Sequence, residues 1–294
     1  MNPEDIKRRE REFWEANAEQ YDARLGRYSA RFSADLIDLM YPQKDEKALD
    51  VAGGSGAAGL KLCERIGSRG SVTIVDLSQR MLAIAGERAS ALKLGNLTTR
   101  VMDAEKLDLP DASFDIVSCS FAATAFPDIP AALHQIKRVA KPGGRIGFVV
   151  WSRADRFPIF TEHALAILNR NSAPLGRWLA SAPLAREKVR HWLATRPGPW
   201  GFSPLRFCAP GSLERELARA GFRDLRREMR AFPIEFPSFE EYWEAAMCVA
   251  PIHRPPPNVI REIKGELRSR IPDRRDGRVT LWNEGALIFA KRPG

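Results

Sequence analysis

Ten residues constrain this chain more than any others: Asp50-Val51-Ala52-Gly53-Gly54-Ser55-Gly56-Ala57-Ala58-Gly59. They join a run that reads as a strand, Lys47–Ala52, to a helical stretch ending at Ile66. Glycines at such a junction let the backbone turn sharply and come close to a ligand, and the helix start presents free N–H groups. Strands and helices then alternate. Ser71–Val75, Leu97–Met102, Phe114–Ser120 and Arg145–Trp151 read as strands, and Gln79–Leu92 and Pro130–Val139 as helices. That order, with right-handed crossovers, builds a parallel sheet wrapped by helices.

The flanks complete the outline. Trp14, Ala18, Tyr21 and Leu25 recur at helical spacing, so residues 4–25 read as an amphipathic helix, followed by a second over Ser33–Met40. Beyond Trp151 the alternation breaks; helices are expected over Phe160–Asn169 and Leu184–Ala194. Gly211-Ser212-Leu213-Glu214 opens a helix stopped by Gly221, Phe222–Phe232 reads as a strand, a helix lies near Phe239–Met247, and Arg278–Lys291 is a last strand. Pro255-Pro256-Pro257 reads as a break. The expected fold class is therefore α/β: a Rossmann-like, doubly wound, seven-stranded sheet, mostly parallel with one antiparallel strand, carrying helical lid insertions. Residues 1–40 form an N-terminal helical cover, 41–151 the ligand-binding core, 152–210 a lid insertion, 211–236 a core helix and strand, 237–276 a second lid insertion and 277–294 the last core strand.

Composition narrows the class. With 44% hydrophobic and 28% charged residues among 294, the chain can bury a large core. It contains no run of about 18 apolar residues, the length a membrane span needs. The first dozen residues are too charged for a signal peptide. Cys63, Cys119, Cys208 and Cys248 lie far apart, without metal-ligand or redox spacing, and read as reduced thiols of a cytoplasmic protein with no metal site. Residues 1–150 carry 21 basic and 21 acidic side chains, so the net charge of +9 belongs to the second half. A solvated Arg-rich surface explains it; so would a phosphate or carboxylate on a substrate, or peripheral contact with a membrane.

The turn alone leaves the ligand open. Gly54-Ser55-Gly56-Ala57-Ala58-Gly59 has the dinucleotide-binding pattern, and Asp76 follows Gly56 by 20 residues, so a nicotinamide-dependent dehydrogenase must be weighed. Asp50, inside the strand end, would repel a pyrophosphate but could orient a ligand ammonium. Asp76 can accept from a ribose diol, Met81 can lie against an adenine, and a carboxylate in Asp103-Ala104-Glu105 can accept from an adenine amino group. All fall on the C-terminal edge of the sheet, where such folds bind ligands.

With these motifs the chain resembles the class I S-adenosylmethionine-dependent methyltransferases, in particular the ubiquinone/menaquinone-biosynthesis C-methyltransferase branch. The resemblance rests on Leu49–Gly56, Val75-Asp76-Leu77-Ser78 with Met81-Leu82, Asp103–Leu107, Leu109–Asp115 and Arg138–Arg145. It implies S-adenosylmethionine as cofactor. Asp76 would take the ribose hydroxyls, Leu77 and Met81 the adenine faces, and Asp103 with Ala104 the adenine edge. The backbone at Ala52, Gly53, Gly54 and Gly56 would face the methionine part, Ser120 and Phe121 would lie near the sulfonium, and Tyr21 would reach in from the covering helix. Phe13 and Trp14 read as core packing. Ala52 replaces the first glycine of the family's turn, which is tolerable at negative φ.

Transfer from a sulfonium needs positioning and desolvation more than a catalytic motif. A carbon or oxygen acceptor would want a base, and His163 and Tyr28 are the candidates. Ser120-Phe121-Ala122-Ala123 lacks the Asn/Asp-Pro-Pro-aromatic signature of many nitrogen methyltransferases, and no aromatic–basic strand motif supports RNA. The acceptor expected is a small quinone-, polyketide- or isoprenoid-like metabolite. A methyltransferase-fold protein catalysing a non-methylating reaction is the alternative, with an RNA methyltransferase or a dehydrogenase behind it.

Overall fold

The computed structural model describes residues 2–152, 206–248, 257–271 and 276–294. Chain order begins with α1 (Pro3–Tyr21), one π-helical turn (Asp22–Gly26) and α2 (Arg27–Leu39). The core follows as β1 (Lys47–Val51), α3 (Ala57–Ile66), β2 (Ser71–Asp76), α4 (Gln79–Ala91), β3 (Leu97–Val101), β4 (Phe114–Ser120), α5 (Ile129–Val139) and β5 (Ala140–Trp151). The remainder is α6 (Ser212–Arg219), β6 (Arg223–Phe236), α7 (Phe239–Met247), α8 (Pro257–Arg270) and β7 (Val279–Lys291).

One seven-stranded sheet runs in the order β3-β2-β1-β4-β5-β7-β6. β7 is antiparallel to both its neighbours, and the other pairs are parallel, as expected from the sequence. The strand order reverses between β1 and β4, which opens a crevice at their carboxyl ends. β1 and β4 are buried almost throughout, because helices cover both faces. β6 is an edge strand, so Pro233, which has no N–H to donate, is tolerated opposite Trp282.

Several boundaries differ from expectation. β5 begins at Ala140 rather than Arg145, because its pairing with β4 slips between Phe114 and Ile116 and absorbs Pro142-Gly143-Gly144. β6 runs on to Phe236, carried by its full-length pairing with β7. The proline run ends in a helix rather than a break: Pro257 is the first residue of α8, where its missing N–H has no helical partner to lose. Helix α2 starts at Arg27, six residues before the expected Ser33. The helices expected over Phe160–Asn169 and Leu184–Ala194 lie outside the described residues, as does His163. No helix among the described residues is long and apolar enough to cross a membrane.

Candidate active site

The crevice at the β1/β4 reversal is a cavity of about 290 Å³ with walls from α1, α2 and the C-terminal ends of β1, β2, β4 and β5. Its floor is the glycine turn. Gly54 and Gly56 have φ of +54° and +90°, which glycine adopts without a Cβ clash. At Gly53 the reason for glycine is space: a Cβ would lie 2.5 Å from Asp50 Oδ2 and 2.7 Å from Ile74 Cγ2. Gly53 and Gly54 line the cavity, whereas Gly56 does not; it turns the chain into α3, close under Ala85 and Leu60. Ala52 does not have the negative φ that would make it harmless. Its φ is +51°, a left-handed conformation that costs an L-residue roughly 1–2 kcal/mol.

Two carboxylates hold this floor. Asp50 Oδ1 accepts from Ser118 Oγ at 2.7 Å and Oδ2 from the Gly59 N–H at 2.9 Å. The carboxyl is only 1% exposed, and burial pushes its pKa up to about 7. It lines the cavity, but it also ties β1 to β4 and to the first turn of α3. Asp76 Oδ2 accepts from the Gly54 N–H and Oδ1 from the Ser78 N–H, both at 2.9 Å. A carboxylate has about four lone-pair sites, so Asp76 retains acceptors on its cavity side. Burial raises its pKa against these hydrogen bonds. Ser78 then caps α4 by accepting from the Met81 N–H, which sets Leu77 and Met81 on the cavity wall.

Beyond β3, Asp103 and Ala104 line the cavity together with Glu105. Asp103 Oδ1 accepts from the Glu105 N–H at 2.9 Å, closing a tight turn. Lys7 of α1 reaches into this turn, 2.7 Å from Asp103 Oδ2 and 2.5 Å from Glu105 Oε2. Glu10, Phe13, Trp14 and Tyr21 of the same helix also line the cavity, so Phe13 and Trp14 are wall as well as packing. Lys7 and Glu10 were not anticipated. Both continue the Trp14–Ala18–Tyr21 face one and two turns toward the N-terminus, and charged residues on an apolar stripe were the available signal.

The opposite end is aromatic. The Phe121 ring stacks on Trp151 at 4.2 Å and 29°, and Phe32 stands edge-on to both at 5.6 and 5.9 Å. Phe121 has φ +63°, held by its N–H to Val149 O. Strain of this kind on a bulky residue persists only where its surroundings over-determine it. Ser120 Oγ is buried on the cavity wall without a hydrogen-bond partner. Ser29 Oγ donates to Gly26 O at 3.0 Å, leaving the Tyr21 hydroxyl, 3.1 Å away, to donate to Ser29. Of the two expected bases, His163 lies outside the described residues. Tyr28 lies off the cavity, its hydroxyl accepting from Arg27 and donating to Glu235 O at 2.6 Å, so its proton is committed to β6. Among the described residues no arginine lines the cavity; Arg227 and Arg230 of the basic half pair with Glu214, Glu228 and Asp35. Nor do any three His, Cys, Asp or Glu among them assemble a metal site.

Comparison with known proteins matches this architecture. Residues 27–181 fit the family model described as the ubiE/COQ5 methyltransferase family. Nocamycin O-methyltransferase of Saccharothrix syringae is 31% identical over 220 residues, 75% of this chain and 74% of that protein. The ubiquinone/menaquinone biosynthesis C-methyltransferase UbiE of Rhizobium leguminosarum is 37% identical over 123 residues, 41% of this chain; the match spans about half (48%) of that relative. The crystal structure of the YcgJ protein of Bacillus subtilis shares the fold, with a TM-score of 0.59 at 18% identity over 90% of this chain and 99% of that one.

Proposed function

The chain belongs to the ubiE/COQ5 methyltransferase family, and from that premise we propose that it methylates a carbon or oxygen atom of a small, planar, largely apolar acceptor. Its cofactor is S-adenosylmethionine, and the dehydrogenase alternative ends with the family. The residues present fit that group: Asp76 offers acceptors for ribose hydroxyls, Leu77 and Met81 offer apolar faces, and the missing Cβ of Gly54 leaves the backbone open to close approach. Ser120 Oγ supplies a buried hydroxyl that still needs a partner.

When bound, the cofactor supplies a methyl group on a sulfonium, already activated for in-line displacement. The protein's work is to position and to dry. The glycine turn, braced by Asp50, fixes where the backbone meets the ligand, and α1 closes the cavity over Asp76 and Asp103. At the far end the Phe121–Trp151 stack offers a flat apolar face to a ring, the Ser120 hydroxyl is free to donate to a ring oxygen, and the Ser29 and Tyr21 oxygens can accept from a ring hydroxyl.

The observation that carries the acceptor class is this division of the wall: among the described residues the charged side chains lining it, Lys7, Glu10, Asp50, Asp76, Asp103 and Glu105, cluster at the donor end, and the other end is aromatic and hydroxyl-bearing. Oxygen methylation by the nocamycin relative and carbon methylation by the ubiquinone/menaquinone relative support both target atoms. The test is incubation with S-adenosylmethionine and a panel of hydroxylated quinones, polyketide aromatics and charged amines, read by mass for gain of one methyl. Methylation confined to the amines overturns the acceptor class. Cofactor binding with conversion of a ring substrate but no methyl gain favours the non-methylating alternative.

A further inference from the structure

Glu10 occupies an unusual position. It projects from α1 into the cavity, partly buried, and among the described residues its one hydrogen-bond donor is the Trp14 indole N–H, 3.2 Å from Oε2. No cation among the described residues pairs with it. Lys7, one turn earlier on the same face, is committed to Asp103 and Glu105. Across the cavity stands Asp76 of β2, a like charge, with Asp50 on the floor beyond it. From α4, which packs on α1, Arg80 is held by Glu19 and Arg88 by Asp22. A carboxylate so placed lacks donors, and the ribose hydroxyls of a nucleoside cofactor are donors. Burial and the Asp76 charge push the Glu10 pKa up to about 7, so below neutrality the empty site holds it mostly protonated.

We propose that Glu10 is a cofactor ligand supplied by the covering helix: it shares the hydroxyl-bearing part of S-adenosylmethionine with Asp76 and releases a proton to solvent as it does so. The inference rests on the cofactor assignment above and adds to it a charged contact that α1 makes only when the cofactor is present. The balance is simple. The carboxyl loses its proton to water, and the resulting carboxylate accepts a hydrogen bond from a cofactor hydroxyl, with no covalent change in either. Hydrogen bonding to the ionised form returns its pKa toward the ordinary carboxylate range, so affinity rises with pH until Glu10 of the free protein is itself ionised, near neutrality.

The experiment is calorimetric titration of the full chain and of Glu10→Gln with S-adenosylhomocysteine at pH 5.5 and 7.5, each in two buffers of different ionisation heat. Ionisation of the ligand is common to both proteins and cancels in the ratio of their affinities, which then reports the carboxylates coupled to Glu10. That ratio should grow about 20-fold in favour of the natural chain between the two pH values, for a pKa moving from about 7 to about 4.5. Buffer dependence should show roughly one proton released near pH 6 by the natural chain and correspondingly fewer by Glu10→Gln. Parallel pH profiles with equal proton release overturn the role of Glu10 and leave the cofactor assignment standing. Absence of binding by both proteins, each shown folded by circular dichroism, overturns both.

Discussion

The two ends of the cavity are built on different principles. At the donor end, carboxylates are held by backbone N–H groups close by: Asp76 by Gly54 and Ser78, Asp103 by Glu105, Asp50 by Gly59. At the proposed acceptor end, Phe32 of α2, Phe121 after β4, Trp151 of β5 and Phe232 of β6 meet through ring contacts between 4.2 and 5.9 Å. Hydrogen bonds fix direction and fail when one partner is lost, because the other is left unpaired. Ring packing is broad and tolerant, and many side-chain combinations fill the same volume. The contrast suits an enzyme whose donor is constant and whose acceptor differs among relatives.

That division predicts that substitutions at the two ends differ in kind as well as in size. Asp76→Ala removes hydrogen bonds to an ionised acceptor worth about 1.5–3 kcal/mol, so affinity for S-adenosylhomocysteine should fall roughly 10- to 150-fold by calorimetry. Retention of full affinity would remove Asp76 from the donor end. Gly53→Ala forces a methyl into space already held by Asp50 and Ile74, and should lower stability in urea by about 1–3 kcal/mol. Phe121→Ala should lower stability by about 0.5–1.5 kcal/mol through the lost ring contacts, and raise KM for the acceptor. A loss of cofactor affinity in the same variant of more than about two-fold would place Phe121 against the sulfonium, as the family resemblance implies, and join the two ends. Smallest is Ala52→Gly, which relieves a left-handed alanine and should raise stability by about 0.5–1 kcal/mol after the entropy of glycine is subtracted. A drop in its thermal midpoint would mean that the Ala52 methyl packs favourably enough to outweigh the strain.

The donor end was legible in the sequence for the reason it is rigid: its interactions run between neighbours in the chain or across adjacent strand ends, so spacing alone brings Asp76 to Gly54. The sheet was legible for a similar reason, since the alternation from Lys47 to Trp151 leaves few topologies. Tyr28 turns away from the cavity toward Glu235, 207 residues away, a direction no local pattern reveals. Lys7 and Glu10 went unremarked on an amphipathic helix, although their place on its apolar face marks them as facing something other than water. Ala52 looked harmless because identity carries no φ; only the turn's geometry shows that a methyl stands where glycine would be free. The proposed base His163 falls on residues the structure does not describe, and remains a proposal.

Helix α1 also has a history. Lys7 finds Asp103 across 96 residues of chain, and α1 otherwise packs mainly on α4, so nothing it docks against exists when it leaves the ribosome. At about 5–20 residues per second, Lys7 waits roughly 5–20 s for its partner to be made. During that interval the Trp14–Ala18–Tyr21 stripe is an unpaired apolar surface on a nascent chain, and the charges that alternate with it keep it in solution. The helix that finally seals the cofactor site is thus made before the elements it docks against and seated only after them.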